Sequence, residues 1–213
     1  SGHQIPNSVI MHSLFGGNVD KRVILARGTA LSTDSGLGRA HHALVGTLRD
    51  SLVEGWEMTR TIDHEAPSWS VGRVLKRFRH ASVVSSESKA SEGDLLHITD
   101  QEQAHLVPRN CEIPVVVTVH DMFHLEPSEI ESVPIGEHSP GMIRRMDLRR
   151  LRKGLERADL IICISEVTQS EVNRVFPGKP TALVRHKIDA DHWDPSSNPM
   201  PIDLISEEHD PSK

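Results

Sequence analysis

The feature that most constrains the fold is a short apolar run followed by a glycine-containing loop and an amphipathic helix. Residues 23–26 (Val-Ile-Leu-Ala) predict a buried strand, and residues 36–39 (Gly-Leu-Gly-Arg) predict the first turn of a helix. The face of that helix that packs on a sheet is predicted from a four-residue spacing at Ala40, Leu44, Leu48 and Leu52. A glycine loop at a helix N-terminus presents backbone N–H groups and the positive end of the helix dipole to an anion. We therefore expect a phosphate-binding turn at Gly36 and Gly38.

The glycine pair does not extend into a dinucleotide-binding fingerprint. That fingerprint requires a third glycine at the position that His41 occupies here. A nicotinamide or flavin enzyme is therefore disfavoured, although Asp63 follows the next predicted strand, where a ribose-binding acid would lie. The alternative interpretation is structural, with Gly36 and Gly38 only allowing the helix to pack closely on the strand.

Composition favours one large domain with tails. The chain has 213 residues, of which 37% are hydrophobic and 25% charged, and a formal net charge of −6. Its two cysteines, Cys111 and Cys163, lack metal-type spacing and indicate a reducing compartment, and Cys163 is expected in the core. No apolar run approaches the roughly 18 to 20 residues of a membrane span, and no signal-peptide pattern is present. We therefore expect a cytoplasmic protein.

Strands and helices alternate along the chain, which predicts an α/β fold: a single domain with a doubly wound, mainly parallel Rossmann-like sheet and helices on both faces. The continuous apolar runs are typical of strands covered on both sides. The further predicted strands are 56–63, 94–99, 114–119, 159–164 and 181–184; the helices are 69–80, 141–158 and 165–175, with a helical turn at 101–107; residues 82–91 and 123–138 are predicted as loops.

The predicted domain occupies residues 21–193. Residues 1–20 combine a segment that resembles a tag remnant with a stretch that has no assignment, and residues 194–213 form a linker-like, acidic tail. Within the domain, polar residues follow the predicted strands. The carboxyl ends of parallel strands meet at one edge of a sheet, where ligands bind. That edge is predicted to gather Gly36, Gly38, His97, Asp100, His120, Asp121, Ser165 and Glu166.

Several of these segments, in their order and spacing, resemble the N-terminal half of the family 4 retaining glycosyltransferases. The segments are 35–39 (SGLGR), 96–100 (LHITD), 114–121, which ends in Val-His-Asp, and 158–166 (ADLIICISE), and residues 184–193 are similar to the stretch that precedes the second domain of these enzymes. The resemblance implies a GT-B enzyme of two Rossmann-like domains, the first binding mainly the sugar acceptor and the second mainly the nucleotide-sugar donor. It also implies retention at the anomeric carbon, with no metal or other cofactor required.

The resemblance also implies roles for individual residues. His120 matches the family's strand-end histidine near the transferred sugar or acceptor, and is the expected catalytic residue. The loop from Gly36 to Gly38, with Arg39, would bind the donor diphosphate. The remaining expected pocket residues are His97, Asp100, Asp121, Ser165 and Glu166. Because no second Rossmann-like domain follows residue 193, we expect this chain alone to transfer sugar very poorly.

The sequence also fits two other functions. One is a metal-dependent hydrolase, because residue types that bind zinc or manganese occur at His97, Asp100, His105, His120, Asp121 and His124. The other is a Rossmann-like binding domain without chemistry. The basic helix 141–158 either contacts anionic lipid or a phosphorylated acceptor, or is a solvated surface. Nucleic acid is disfavoured, because the chain is acidic and has few aromatic residues.

Overall fold

A computed structural model describes residues 21–33, 35–64 and 70–186, so the expectations for residues 1–20 and 187–213 lie outside the described residues. Its main element is a six-stranded sheet in the order β2-β1-β3-β4-β7-β8, in which all neighbouring strands are parallel. The strands are β1 (Lys21–Thr29), β2 (Trp56–His64), β3 (Leu95–Ile98), β4 (Val115–Val119), β7 (Leu160–Cys163) and β8 (Thr181–Leu183). An antiparallel hairpin of β5 (Ser128–Ile130) and β6 (Val133–Ile135) lies apart from this sheet. The predicted parallel α/β fold is confirmed.

Helices cover both faces of the sheet, because the first crossover and the later ones run in opposite directions across the sheet. The helices are α1 (Gly36–Arg49), α2 (Ser70–Ala90), α3 (Met142–Arg157) and α4 (Glu166–Val175), with a 3₁₀ helix at Gln101–Leu106. The first crossover, through α1, leads to β2 on one side of β1, whereas the later crossovers lead toward β8 on the other side. Right-handed crossovers in opposite directions place their helices on opposite faces. Accordingly, α1 packs on one face, and α2, α3 and α4 pack on the other.

Strand β1 shows how the two cores arise from the two-residue period of a strand. Val23 and Leu25 pack with residues of α1, whereas Ile24 and Ala26 pack in the larger core with α2 and α3. All four side chains are buried, which explains why the sequence shows an uninterrupted apolar run. Cys163 of β7 is also fully buried in the larger core, as predicted.

Two local predictions are wrong, and a third is wrong in part. Residues 82–91 are not a loop: α2 continues to Ala90, because Val84 is fully buried in the larger core and the Ser86 hydroxyl donates to the carbonyl of Ser82 at 3.0 Å. The predicted apolar face of α1 is wrong at its end, since Leu52 lies beyond the helix and is 72% exposed, whereas Leu48 is buried and Leu44 packs partly against the core. The buried positions of α1 are Gly38, His41, Val45 and Leu48. Finally, residues 123–138 contain the β5–β6 hairpin rather than only a loop.

The helix predicted at 141–158 is α3, and an apolar stripe attaches it to the sheet. Leu151, Leu155 and Ala158 are buried in the larger core, and Leu148 packs partly against it. Among the described residues, no helix is both long and apolar enough to cross a membrane.

Candidate functional site

The candidate site lies along the carboxyl edge of the parallel sheet. The chain runs from β1 to β2 on one side and later returns to β3 on the other, so the crevice between the ends of β1 and β3 is the topological switch point, where such sheets bind ligands. The turn at Gly36 follows β1, Thr99 follows β3 and His120 follows β4. Ser165 and His186 follow the next two strands. The glycine turn and His120 therefore lie on the same edge of the sheet, as the sequence predicted.

The glycine turn forms the first turn of α1, and both of its glycines lie within that turn. The Ser35 hydroxyl caps the helix by accepting from the N–H of Gly38 at 3.0 Å. Within the described part of the chain, the N–H groups of Gly36 and Leu37 have no hydrogen-bond acceptor. A Cβ atom on Gly38 would overlap the carbonyl oxygen of Ser32, whereas one on Gly36 would meet no described atom within 4 Å. Gly38 is therefore needed for packing, and Gly36 is open to a ligand.

Hydrogen bonds of its backbone and its ring fix the position of His120. Its backbone N–H donates to the Gln101 side-chain oxygen at 2.9 Å, and its ring Nε2 lies 3.3 Å from the carbonyl oxygen of Thr99. Because a carbonyl oxygen only accepts, Nε2 carries a proton and donates it. In the neutral form of the ring, the lone pair is therefore on Nδ1, which lies 3.2 Å from Nε2 of His186. In that form His120 presents a hydrogen-bond acceptor at the sheet edge.

The ring of His186 stacks on that of His120, with 5.1 Å between the ring centroids. Partial burial lowers the pKa of His186, and the neighbouring His120 lowers it further. A neutral His186 donates its Nε2 proton to Nδ1 of His120. His186 remains exposed to solvent, so this hydrogen bond lies at the protein surface.

Two buried histidines lie behind His120. His97 was predicted to line the site, but its Nε2 lies 2.8 Å from the hydroxyl of Thr118 on the neighbouring strand, inside the fold. His41 of α1 contacts the Thr99 hydroxyl through Nδ1 at 3.1 Å. Burial is the main cause that lowers the pKa of each to about 4, and nearby cations and imidazoles add to it. Both are neutral at physiological pH and support the edge from within.

Asp100 is almost fully buried where β3 ends. Its Oδ1 accepts from the N–H of Glu102 at 2.8 Å and so caps the 3₁₀ helix. Burial raises the pKa of Asp100, while that backbone hydrogen bond and the neighbouring His120 and Arg27 act in the opposite direction. Arg27 is itself buried in β1 and donates from Nε to the carbonyl of Thr29 at 2.9 Å. This pair lies under the switch point.

The other predicted site residues take part in turns and caps. Asp121 accepts from the N–H of Phe123 at 3.1 Å, and Ser165 caps α4 by accepting from the N–H of Thr168 at 3.1 Å. Glu166 is exposed and pairs with Arg185, with 2.6 Å between the charged atoms. Arg39 is exposed, and its Nε donates to the carbonyl of Thr33 at 3.3 Å, beside the glycine turn. The last two side chains can rearrange toward a ligand more readily than the caps.

Sequence reasoning missed three residues that shape the site: His41, Thr99 and His186. His41 was considered only as the residue in place of a third glycine. His186 follows the last strand, so the rule that polar residues collect at strand ends would have identified it. Thr99 gave no distinct signal, because its backbone carbonyl makes the contact with His120.

The residues of the alternative metal site do not converge. His97 contacts Thr118, and Nε2 of His124 contacts the carboxylate of Glu102. Nδ1 of His105 faces the carbonyl of Glu102 at 3.3 Å. Burial lowers the pKa of His105 to about 3. Within the residues that the structure describes, no three His, Cys, Asp or Glu side chains are grouped so as to hold a metal ion.

Comparison with known proteins identifies the family. The model of glycosyltransferase family 4 matches residues 36–192, which include the glycine turn, His120 and His186. This chain belongs to glycosyltransferase family 4. The match spans most of the chain, from the first residue of α1 to a point beyond β8. No similar protein was found among curated sequences.

Solved glycosyltransferases have a similar fold. Sucrose-phosphate synthase from Thermosynechococcus elongatus matches with a TM-score of 0.50 and 11% identity, over 79% of this chain and 91% of that chain. A UGT transferase from Siraitia grosvenorii in complex with UDP matches with a TM-score of 0.45 and 11% identity, over 83% of this chain and 52% of that one. Phytolacca americana UGT2, complexed with UDP-2fluoro-glucose and pterostilbene, has a TM-score of 0.45 and 13% identity, over 82% and 56% of the two chains. The family 4 chain thus spans about half the length of the two UGT chains.

Proposed function

We propose that this family 4 domain is the acceptor-binding half of a retaining GT-B glycosyltransferase. The enzyme transfers a hexose from a nucleotide sugar to a glycan, lipid or small-molecule acceptor. The observation that supports this function best is the common sheet edge of the glycine turn and His120, within a family 4 match over residues 36–192. No metal or other cofactor takes part in this proposal.

The glycine turn would stabilise the leaving group. As the bond between the sugar and the nucleotide breaks, negative charge grows on the donor diphosphate. The N–H groups of Gly36 and Leu37, with the positive end of α1, lie where they could donate to those oxygens. His120 would bind the acceptor, because its Nδ1 accepts a hydrogen bond once the donor of His186 is replaced by an acceptor hydroxyl. The acceptor is then oriented for transfer.

A donor-binding domain completes the site in this proposal. The described domain supplies backbone donors from one helix end, and a nucleotide sugar needs further contacts for its base, ribose and phosphates. We therefore expect the 213-residue chain alone to release nucleotide from sugar donors very slowly, and a fusion to a family 4 donor-binding domain to release it at a measurable rate.

The test compares two glycine substitutions in that fusion. Gly36→Ala and Gly46→Ala both add a methyl group to α1. At both positions the added Cβ would meet no described atom within 4 Å outside its chain neighbours and the helix backbone. Only the first lies at the turn, so Gly36→Ala should lower nucleotide release about tenfold or more, with no loss of thermal stability. Gly46→Ala should keep the activity of the parent. Equal activities would contradict a role for the turn, and fast turnover by the unfused chain would contradict the need for a second domain.

The stereochemistry requires a separate measurement. Proton NMR of the first product formed from an α-linked donor should show an α-linked glycoside. A β-linked product would exclude the retaining mechanism while leaving the assignment of the acceptor-binding domain intact.

We also propose that the amino end of α3 contacts an anionic membrane surface. Met142 and Ile143 are 81% and 67% exposed, and Arg145 and Arg149 on the same helix are exposed as well. Exposed apolar side chains beside cations are the pattern of an interfacial helix. The chain should sediment with vesicles of phosphatidylglycerol and phosphatidylcholine, but not with phosphatidylcholine alone. The double variant Met142→Ser, Ile143→Ser should lose this binding, and unchanged sedimentation would refute the proposal.

A further inference from the structure

A second cleft lies on the face of the sheet that carries α2 and α3. Its volume is about 560 Å³, within the range of small-molecule sites. Its walls are the C-terminal parts of α2 and α3 and the segment 105–110 between them. Helices α2 and α3 lead into β3 and β7, so their C-terminal ends lie toward the amino edge of the sheet. The cleft therefore lies toward the opposite edge from the glycine turn and His120.

The lining of this cleft is strongly cationic. Its described lining contains no aspartate or glutamate, and Ser82, Ser85 and Ser86 add hydroxyl groups along α2. Five cationic side chains line it: Lys89, Arg109, Arg150, Lys153 and Arg157. In a chain with a formal net charge of −6, this is a local reversal of sign, and it favours an anionic ligand.

One arginine is held in place with a donor available. Nη2 of Arg157 donates to the carbonyl of Val107 at 2.8 Å, which fixes the guanidinium against the wall. Its Nε is buried and has no acceptor among the described residues. A buried donor without an acceptor costs free energy, and an anion in the cleft can supply the missing acceptor. Arg150, Lys153 and Arg157 share one face of α3, so their cations point to the same space.

Repulsion among the cations of the cleft also favours an anionic ligand. Burial lowers the pKa of Arg157, and the cations of Arg109 and Arg150 lower it further, against the raising effect of Glu156. Burial likewise lowers the pKa of Arg150, with Arg109 among the further causes. Like charges this close are unfavourable for folding, and binding an anion between them removes that cost.

Close packing fixes one wall of the cleft. Gly154 lets α3 approach the 3₁₀ helix, because a Cβ atom there would overlap the carbonyl oxygen of Ala104. That close contact sets the distance between α3 and the segment that carries Arg109. Cations that packing holds in place need little ordering when a ligand binds.

We propose that this cleft binds a phosphate-bearing small molecule, a phosphate monoester or a diphosphate, at a site separate from the sugar-transfer edge. Guanidinium groups pair with phosphate oxygens through two parallel N–H donors, and lysine and serine complete such sites. A free phosphate compound and the phosphorylated headgroup of a lipid share this chemistry. The proposal does not depend on the glycosyltransferase reaction.

Isothermal titration calorimetry of the 213-residue chain with pyrophosphate tests the site directly. The chain should bind one pyrophosphate. The double variant Arg109→Gln, Lys153→Gln should weaken binding about tenfold, because two exposed cations of the cleft are removed without loss of buried packing. The matched control is Arg49→Gln, Arg79→Gln, which removes two exposed cations of α1 and α2 outside the cleft and changes the net charge equally. It should bind pyrophosphate within about twofold of the parent.

A second arm distinguishes the source of the phosphate. Vesicles of phosphatidylcholine with a phosphatidylinositol phosphate are offered to the same three proteins at the same ionic strength. If only the cleft variant loses binding, the site is supported. Loss of pyrophosphate binding indicates a free phosphate compound as the ligand, and loss of vesicle binding indicates a lipid headgroup. Equal loss in both variants, or no binding of either probe by the parent, overturns the proposal.

Discussion

Acidification from about pH 7 to about pH 5 should strongly destabilise this fold, because several buried histidines are neutral in the native state. Burial is the main cause that lowers the pKa of His97 and His41 to about 4 and that of His105 to about 3. In the unfolded chain the same groups titrate near 6.5. Below that pH the unfolded state binds more protons than the folded state, so stability falls as the pH falls.

The magnitude follows from the difference between the two pKa values. At about pH 5 each unfolded imidazole is almost fully protonated and each folded one is still neutral, which costs about 2 kcal/mol per histidine relative to neutral pH. The three together amount to about 6 kcal/mol, comparable with the whole stability of many domains. The loss begins near the unfolded pKa and ends near pH 4, where His97 and His41 take up protons in the folded state as well.

His97→Gln isolates one of these contributions. A glutamine amide can still hydrogen-bond the hydroxyl of Thr118, which the imidazole contacts at 2.8 Å, but it does not titrate. Urea unfolding followed by circular dichroism at about pH 7 and about pH 5 should show a loss that is smaller by about 2 kcal/mol than in the parent. His138→Gln, at an exposed histidine, is the control and should keep the parent's pH dependence. If His97→Gln loses as much stability between about pH 7 and about pH 5 as the parent does, then the fold does not hold His97 neutral, and burial does not lower its pKa.

Three further predictions concern His120, Asp147 and Gly38. In a fusion with a donor-binding domain, His120→Ala should lower kcat about a hundredfold while the thermal unfolding midpoint changes little, as steady-state kinetics and calorimetry would show. Asp147→Asn should lower the free energy of unfolding by about 3 kcal/mol in urea titrations, because the buried carboxylate accepts from Arg77 at 2.9 and 3.0 Å. Gly38→Ala should cost about 1 to 3 kcal/mol in the same assay, because the added methyl group overlaps the carbonyl of Ser32; an unchanged midpoint would contradict that packing.

The sheet could be predicted because its strands are buried on both faces. The five residues of β4 are all apolar or β-branched and all buried. A short run of this kind is typical of a strand that is covered on both faces. The serine-rich part of α2 could not be predicted by the same means. Serine favours turns in isolation, but burial of Val84 in the larger core determines the helix there, and that contact joins distant parts of the chain.

The rule on strand ends located the candidate site but did not separate ligand-facing groups from structural ones. His97 precedes the end of β3 and follows the two-residue period, so its side chain lies on the face opposite Leu96 and Ile98. Asp100 and Ser165 also follow strands, yet each caps the helix that comes next. A side chain that begins a helix and a side chain that binds a ligand have the same position in the sequence, and only the three-dimensional contacts distinguish them.

Thr99 shows why the edge acts as a unit rather than as a row of separate side chains. Its N–H donates to the carbonyl of Ala26 in β1 at 3.3 Å, its hydroxyl contacts His41 in α1, and its carbonyl accepts from His120. One residue therefore links the strand that leads to the glycine turn, the helix that begins at that turn, and the histidine proposed to bind the acceptor. The positions of the glycine turn and of His120 therefore both depend on this backbone segment, and a change of the backbone at Thr99 should displace both halves of the proposed site.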